Sequence, residues 1–250
     1  MSAFTGERVL GWAWMGTVPY RAAWALQSRL AEDRRAGRLA DDLVLLLEHP
    51  PVYTMGRNGE PRHVPAGSEA LRAAGADYVD VDRGGSVTFH GPGQLVAYPI
   101  VDLAASFPIA AHPVHGDVVR YLRALEEALI DTAATYGVTV HRRAPYTGVW
   151  AGTDKLAAIG VKLARGVTTH GVALNVCTDL RWFDRIVPCG IDGAGVASLE
   201  TLGAPGLTPQ QVAPRLATEL ARALGARCVE ADARAQALLA AHTASAAAAA

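Results

Sequence analysis

The run of residues Arg83–Gln94, RGGSVTFHGPGQ, is the feature that most restricts how this chain can fold. Its glycines allow backbone angles and close approaches that a Cβ forbids, and Gly91–Gly93 predicts a proline-fixed turn. In an extended segment, Ser86, Thr88 and His90 would share one face. The run therefore predicts a rigid polar wall beside exposed backbone amides.

The opposite face of the same segment is apolar. Val87 and Phe89 alternate with the polar residues, so their side chains are expected to point into the core. Residues 78–82 and 95–101 have strand patterns, which places the run between two strands. An ordinary glycine-rich hairpin is the alternative. A nucleotide P-loop and a dinucleotide-binding loop are excluded by pattern, because no Gly-Lys-Ser/Thr or dinucleotide glycine spacing is present, whereas a cradle for another ligand is left open.

The rest of the chain has the pattern of an α+β protein. Apolar residues spaced by three and four predict a long helix over residues 118–133, and Thr-Pro at one end and Gly after the other predict a helix over residues 208–224. No repeat or linker divides residues 1–230, so we expect one α/β (α+β) domain with helices flanking a mixed sheet. An alanine-rich helix with a frayed tail is predicted over residues 231–250. Further predicted elements are strands at 9–15, 43–47, 138–141, 148–151, 156–163 and 168–176, a helix near 17–36 and a loop at 49–65.

Composition and charge exclude several kinds of function. With 23 Lys and Arg against 24 Asp and Glu, a net charge of -1 attracts neither nucleic acid nor an anionic membrane. Residues 1–20 lack a signal-peptide pattern and no apolar run could span a membrane, so a cytoplasmic protein is expected.

The cysteines Cys177, Cys189 and Cys228 follow no zinc-ligand spacing and predict free thiols. The two histidines of residues 112–115 flank a proline without other ligands nearby, so no metal is expected.

The distribution of the basic residues indicates acid–base chemistry. All of them are arginines except Lys155 and Lys162, which lie in one segment, KLAAIGVK. A guanidinium stays protonated, so a group that must release its proton cannot be arginine. At least one lysine is therefore a candidate for proton transfer. The alternative is a pair of surface lysines at the ends of a strand.

Cys189 is the candidate nucleophile. It lies between Pro188 and Gly190, where the backbone is held but not crowded. A thiol with an ordinary pKa of about 8.5 becomes a useful thiolate when an ammonium group lies beside it. Positions 155 and 162 differ by an odd number, so in a regular strand only one lysine can face the cysteine, and spacing does not choose between them. Cys177 and Cys228 each adjoin valine and fit buried apolar positions.

A cysteine hydrolase is an alternative interpretation. His90 and His170 each precede a glycine at an extended run, and either could serve a cysteine nucleophile. Such an enzyme needs a histidine within hydrogen-bond reach of the sulfur and a third group that orients it. Sequence spacing does not decide whether that geometry exists.

Four separated segments together resemble the octanoyltransferases of lipoate biosynthesis, the lipoate-protein ligase B family. They are RGGSVTFHGPGQ, KLAAIGVK, TTHGVALNV and IVPCGI, and their order fits from about residue 9 to residue 200. The resemblance implies the α/β catalytic-domain fold of biotin and lipoate protein ligases, with a mixed sheet. It also implies a monomeric cytoplasmic enzyme without a cofactor. The alanine-rich C-terminus lies outside the resemblance.

The family resemblance implies roles for single residues. Lys155 heads the family motif, whereas Lys162 falls where any basic or polar residue suffices. The thiolate of Cys189 is expected to attack octanoyl-acyl carrier protein and form an acyl-thioester enzyme, and Lys155 is expected to carry the protons. The expected acceptors are lipoyl domains of 2-oxoacid dehydrogenase complexes and the glycine cleavage H protein.

The family resemblance also implies which residues bind the substrate. They are Arg83, Gly84, Gly85, Ser86, Val87, Thr88, Phe89, His90, Ala158, Ile159, Gly160, Gly171, Val172 and Ala173.

Two further alternatives for the function are open. One is an ATP-dependent lipoate or biotin ligase on the same fold, which needs no cysteine nucleophile. The other is a carrier-binding module that is never acylated.

Overall fold

The computed structural model describes residues 7–110, 116–191, 193–231 and 239. Its strands are β1 (Val9–Thr17), β2 (Asp42–Glu48), β3 (Val52–Met55), β4 (Asp77–Asp80), β5 (Val87–His90), β6 (Gln94–Ile100), β7 (His141–Arg143), β8 (Tyr146–Ala151), β9 (Asp154–Ala164), β10 (Val167–Asn175), β11 (Gly195–Val196) and β12 (Arg227–Glu230). Its α-helices are α1 (Tyr20–Arg35), α2 (Gly67–Ala73), α3 (Leu103–Ser106), α4 (Val118–Thr135) and α5 (Pro209–Ala223).

A mixed sheet forms the centre of the described structure. Its strands lie in the order β12-β1-β2-β6-β10-β9-β8-β7, and β11 pairs with β9. β1 is parallel to both of its neighbours, whereas β2, β6, β10, β9 and β8 pair antiparallel with one another in turn. The predicted mixed sheet is therefore confirmed.

Helices cover both faces of this sheet. Val44 and Leu46 of β2 face the side on which α4 and α5 pack, whereas Leu45 and Leu47 face α1. A strand buried on both faces is apolar without interruption, which is the pattern of residues 43–47. None of the helices in the described part of the chain is long and apolar enough to span a bilayer.

A second, smaller sheet lies beside the first. β3 pairs parallel with β4 and antiparallel with β5. Tyr53, Val87 and Phe89 from this sheet form a separate apolar cluster with Phe183. The small sheet thereby presents the Arg83–Gln94 run toward the main sheet.

Most predicted elements are observed, with shifted ends. The helix predicted at 118–133 is α4, and the helix predicted at 208–224 is α5, which begins with Thr208 as its N-cap and Gln211 completing a capping box. The loop predicted at 49–65 is wrong in part, because it contains the buried strand β3. The strand predicted at 138–141 is also wrong, since pairing begins only at His141. The helix predicted at 231–250 lies outside the described residues except for residues 231 and 239, and so do the histidines at 112 and 115.

Glu126 connects α4 to the β7–β8 hairpin. Its carboxylate is fully buried and accepts hydrogen bonds from Arg123, from Arg142 at 3.0 Å and from the backbone N–H of Gly148 at 3.1 Å. A buried carboxylate needs such donors, because desolvation would otherwise disfavour its charge. Glu126 therefore links α4 to the hairpin that precedes Lys155, beside the hydrogen bonds that Arg142 donates to Glu127 and to the Arg123 carbonyl.

We expect Glu126→Ala to lower the free energy of unfolding by about 1–3 kcal/mol, because the buried Gly148 N–H would lose its acceptor. Chemical denaturation measures the change. Glu127→Ala is the matched control, since Glu127 lies on the same helix, is half-exposed and pairs only with Arg142. This control substitution should lower the free energy of unfolding by about 0.5 kcal/mol or less. Equal losses for the two variants would contradict the assigned role of Glu126.

Candidate active site

One cavity of about 560 Å³ lies where the Arg83–Gln94 run meets β9, β10 and the segment around Cys189. Both predicted catalytic residues, Lys155 and Cys189, line it. The predicted binding residues that also line it are Arg83, Gly84, Gly85, Ser86, Thr88, His90, Ala158, Ile159, Gly160, Gly171, Val172 and Ala173. Tertiary structure thus brings together segments that are more than 100 positions apart in the sequence.

Val87 and Phe89, the other two predicted binding residues, do not line the cavity. Both are completely buried in the cluster of the small sheet, where the Phe89 ring stacks on Trp182 with ring centroids 5.2 Å apart. Alternate residues of β5 point in opposite directions, so Thr88 and His90 face the cavity while Val87 and Phe89 face the core. The alternation in the sequence predicts this division.

Cys189 lies in a short turn with an unusual backbone. The residues Pro188–Gly190 form one 3-10 turn, and Cys189 has φ of 57° while Gly190 has φ of 67°. A positive φ is uncommon for a residue with a side chain and points to a position held by its surroundings. Cys189 is half-buried, and in the described part of the chain no histidine ring hydrogen-bonds to its sulfur. The cysteine-hydrolase geometry is therefore not formed by those residues.

Lys155 is a buried cation without an ion pair in the described residues. It is 6% exposed, and its Nζ lies 4.6 Å from the centroid of the Trp150 ring, a cation–π contact. Gly148 lies beside it: a Cβ there would be in ordinary contact with Lys155 Cε at 3.5 Å but would collide with the carbonyl of Ala157 at 2.7 Å. Lys155 therefore faces the cavity with its charge uncompensated by a carboxylate.

Lys162 is placed differently. It forms an ion pair with Asp82, and the same carboxylate accepts a hydrogen bond from His170 Nε2 at 2.9 Å. Burial would raise the pKa of Asp82, but the hydrogen bonds from Lys162 and His170 lower it below its ordinary value. The structure thus distinguishes the two lysines: Lys162 is neutralised by a partner, and Lys155 is not.

Arg83 is a second buried cation without a carboxylate partner among the described residues. Its guanidinium donates to the carbonyl of Thr54 at 2.7 Å, to Thr54 Oγ1 at 2.8 Å and to the carbonyl of Gly84 at 3.0 Å, and its Nε is buried without a partner. Burial lowers the pKa of Arg83. Arg83 lines the same cavity as Cys189.

Three buried histidines near the cavity are held neutral. Burial lowers the pKa of His49 and of His170 to about 4, and it lowers that of His90 well below its usual range. His49 Nδ1 donates to the Val18 carbonyl at 2.6 Å, so its Nε2 accepts from the hydroxyl of Tyr98 at 2.8 Å. These rings serve as fixed hydrogen-bonding groups.

Sequence reasoning missed four residues of this region. Tyr20 and Tyr98 line the cavity, and burial raises the pKa of Tyr20 to about 12. The signal for Tyr98 was one phenol in the otherwise aliphatic strand β6. His49 and His63 lie in or beside the proline-rich segment predicted as a loop, and nothing in the local sequence identifies them. Among the described residues, no group of three or more His, Cys, Asp or Glu side chains is placed to hold a metal ion.

Comparison with known proteins places this architecture in a family. Residues 19–221 match the family described as Lipoyl protein ligase A/B catalytic domain. An octanoyltransferase of Rubrobacter xylanophilus is 52% identical over 187 residues, covering 74% of this chain and 80% of that protein. An octanoyltransferase of Acidobacterium capsulatum is 47% identical over 225 residues, covering 87% of this chain and 91% of that protein. A bipartite lipoate protein ligase of Thermoplasma acidophilum has a similar structure at 14% identity, with a TM-score of 0.65 over 95% of this chain and 92% of that one.

These matches confirm the predicted α/β fold of the biotin and lipoate protein ligase catalytic domain. The class is that of the lipoyl protein ligase A/B catalytic domains, whose family model matches residues 19–221. Within that class, the chain belongs to the octanoyltransferase family and is an acyltransferase.

The neutral histidines predict a pH dependence of stability. We expect the free energy of unfolding to fall as the pH drops from 6.5 toward about 4, because His49 and His170 bind protons in the unfolded chain before they can do so in the fold. His49→Gln should reduce the slope of the free energy of unfolding against pH by about 1.4 kcal/mol per pH unit. Denaturation curves between pH 7.5 and 4.5 measure it. His141→Gln, at an exposed position, is the control, and parallel profiles for His49→Gln and the parent protein would refute the assignment.

Proposed function

We propose that this enzyme transfers an octanoyl group from acyl carrier protein to a lysine amine of a lipoyl domain, through a thioester on Cys189. The observation that carries the proposal is the placement of Cys189 and the unpaired ammonium of Lys155 in one cavity. An ammonium group stabilises a nearby thiolate, which is the reactive form of cysteine. Arg83, the other unpaired cation in the described cavity wall, adds to the same positive field.

The first step forms the acyl-enzyme. The Cys189 thiolate attacks the carbonyl carbon of the octanoyl thioester, a new carbon–sulfur bond forms, and the bond to the carrier sulfur breaks. The departing carrier thiolate takes a proton from the Lys155 ammonium. The positive charges of Arg83 and Lys155 also favour the negative oxygen that develops on the carbonyl.

The second step delivers the group to the acceptor. The neutral amine of Lys155 removes a proton from the acceptor lysine as its nitrogen attacks the thioester carbonyl. The amide bond forms, the Cys189 thiolate leaves, and Lys155 is an ammonium again. This cycle needs a residue that both donates and accepts a proton, a role that arginine cannot perform.

The cavity offers an apolar surface for the acyl chain. Val118, Leu122, Ile159 and Val172 contribute aliphatic walls. Gly171 allows β10 to approach β6 closely at the cavity, because a Cβ there would collide with the Ala97 backbone. Burial of a methylene group contributes about 0.8 kcal/mol, so an octanoyl tail has a substantial driving force to enter.

The proposed setting is the cytoplasm, with a monomeric enzyme that uses no cofactor. The proposed donor is octanoyl-acyl carrier protein. The proposed acceptors are the lipoyl domains of 2-oxoacid dehydrogenase complexes and the glycine cleavage H protein. The Thermoplasma ligase with a similar fold was studied together with its E2 lipoyl domain, which supports an acceptor of this kind.

Mixing the protein with octanoyl-acyl carrier protein should produce an octanoyl adduct on Cys189, visible by intact mass spectrometry and absent from Cys189→Ala. Cys177→Ala is the matched control and should still form the adduct, because Cys177 does not line the cavity. An adduct that persists in Cys189→Ala would overturn the nucleophile. Activity of Cys189→Ala with ATP and free octanoate would indicate a ligase, and release of octanoate without an acceptor would indicate a hydrolase.

The two lysines provide a second test. Lys155→Arg should keep a cation beside the sulfur but lower amide transfer by about 100-fold or more, because it removes the proton carrier. Lys162→Arg should stay within about threefold of the parent protein, since arginine can also pair with Asp82. Octanoylation of a lipoyl domain, followed by gel shift or mass spectrometry, measures both rates. Equal activity of the two variants would remove the general-base role of Lys155.

A further inference from the structure

His63 joins the segment that carries Cys189 to a distant part of the described chain, and the segment also lies against β5. Within the segment, the N–H of Gly190 donates to the Val187 carbonyl at 2.9 Å, which closes the turn. Outside it, the N–H of Val187 donates to the backbone carbonyl of His63 at 2.9 Å. Among the described residues, that is the one backbone hydrogen bond that joins residues 187–191 to a distant part of the sequence.

The ring of His63 also touches this segment. A Cβ on Gly190 would lie 2.9 Å from His63 Cε1 and 3.2 Å from His63 Nε2. These distances mean that the edge of the ring rests against the Gly190 α-carbon. The absence of a side chain at position 190 is thus required twice, by the ring contact and by the positive φ of 67°.

The same ring is also held by hydrogen bonds to Glu60 and to Ser86 of the cavity wall. His63 Nδ1 accepts a hydrogen bond from the Glu60 backbone N–H at 3.2 Å and lies 2.7 Å from the hydroxyl of Ser86. Because a backbone N–H can only donate, Nδ1 carries the lone pair, and in the neutral ring the proton is on Nε2. The ring is only 8% exposed, so its orientation is determined by these contacts.

We propose that His63 is a positioning residue for the nucleophile: its carbonyl and its ring hold the Cys189–Gly190 backbone in its left-handed conformation and couple it, through Ser86, to the Arg83–Gln94 wall. The inference rests on the proposed function of Cys189. It assigns to His63 no contact with the reacting atoms.

Position matters here because the thiolate depends on two cations that do not move with it. Lys155 is fixed on β9, and Arg83 is fixed by its bonds to Thr54 and Gly84. A displacement of the sulfur by about 1 Å from a productive geometry can cost a factor of about 100 in rate. His63 therefore acts on kcat for acylation, whereas the apolar walls that bind the acyl chain do not depend on it.

Two substitutions of His63 separate positioning from stability. His63→Ala removes the ring, so both the melting temperature and the rate should fall. His63→Asn places an amide oxygen near the Nδ1 position, where it can accept from Glu60 and Ser86, but leaves no ring against Gly190. We expect His63→Asn to recover most of the melting temperature while kcat for octanoyl transfer to Cys189 stays about 10- to 100-fold below the parent protein, with KM for the carrier within about twofold.

Alkylation of Cys189 by iodoacetamide, followed by peptide mass mapping, gives a readout that does not depend on the proposed reaction. Both variants should react about 3- to 10-fold more slowly at fixed pH, because the sulfur moves away from the cations that favour its thiolate. His141→Ala is the control at an exposed histidine and should leave both rates unchanged.

The outcomes are distinguishable. If the parent protein forms no octanoyl adduct, the proposed function fails, and the alkylation rates still decide the role of His63. If His63→Asn matches the parent protein in kcat and in alkylation, the ring contact has no positioning role and the inference is overturned. If both rates stay low while the melting temperature recovers, the inference is supported.

Discussion

The junction between the two sheets, made by Arg83 and Gly84, is the constraint on which the cavity depends. Arg83 donates to Thr54 of the small sheet, and the N–H of Gly84 donates to the Val161 carbonyl of the main sheet at 2.9 Å. The side chain of Arg83 fits here because Gly56 and Gly160 lack side chains. A Cβ at Gly56 would lie 2.7 Å from Arg83 Nη1, and a Cβ at Gly160 would lie 3.0 Å from Arg83 Cδ. A buried cation is costly unless its donors are satisfied. Carbonyl and hydroxyl oxygens accept from Nη1 and Nη2 of Arg83, while Nε has no acceptor among the described residues. The cavity is the space left beside this junction.

Much of the fold can be predicted from the sequence, because the patterns that indicate its strands and helices are formed by residues close together in the chain. β2 is buried on both faces and is continuously apolar, while α5 has its capping box and an apolar stripe. The strand β3 escaped prediction because four residues between a proline pair and a glycine carry too little periodicity to distinguish a strand from a loop. Its strand character comes from pairing with β4 and β5, which are distant in the sequence.

The candidate site, like the fold, could be predicted from the sequence only in part. The kinds of residue that chemistry requires, a cysteine, a lysine and a glycine-rich wall, are visible in the sequence, and the family resemblance assigns them. Which lysine is free was not decided by spacing, because the answer depends on Asp82, a residue from another strand end that pairs with Lys162. His63 was invisible for a similar reason: its partners, Ser86 and Gly190, approach it only in the folded chain.

The pKa values of the side chains that line the cavity bear on which residue carries protons in the proposed reaction. His170 and His90 line the cavity, but burial lowers the pKa of His170 to about 4 and that of His90 well below its usual range, so both imidazoles are neutral near pH 7. Tyr20 has its pKa raised to about 12 and does not release its proton. A general acid and base works best when its proton is exchangeable at the operating pH. Tyr98 also lines the described cavity, and burial raises its pKa well above the ordinary value. With the histidines neutral and the tyrosines protonated, the proton transfer in the proposed reaction is assigned to Lys155, which lines the same cavity.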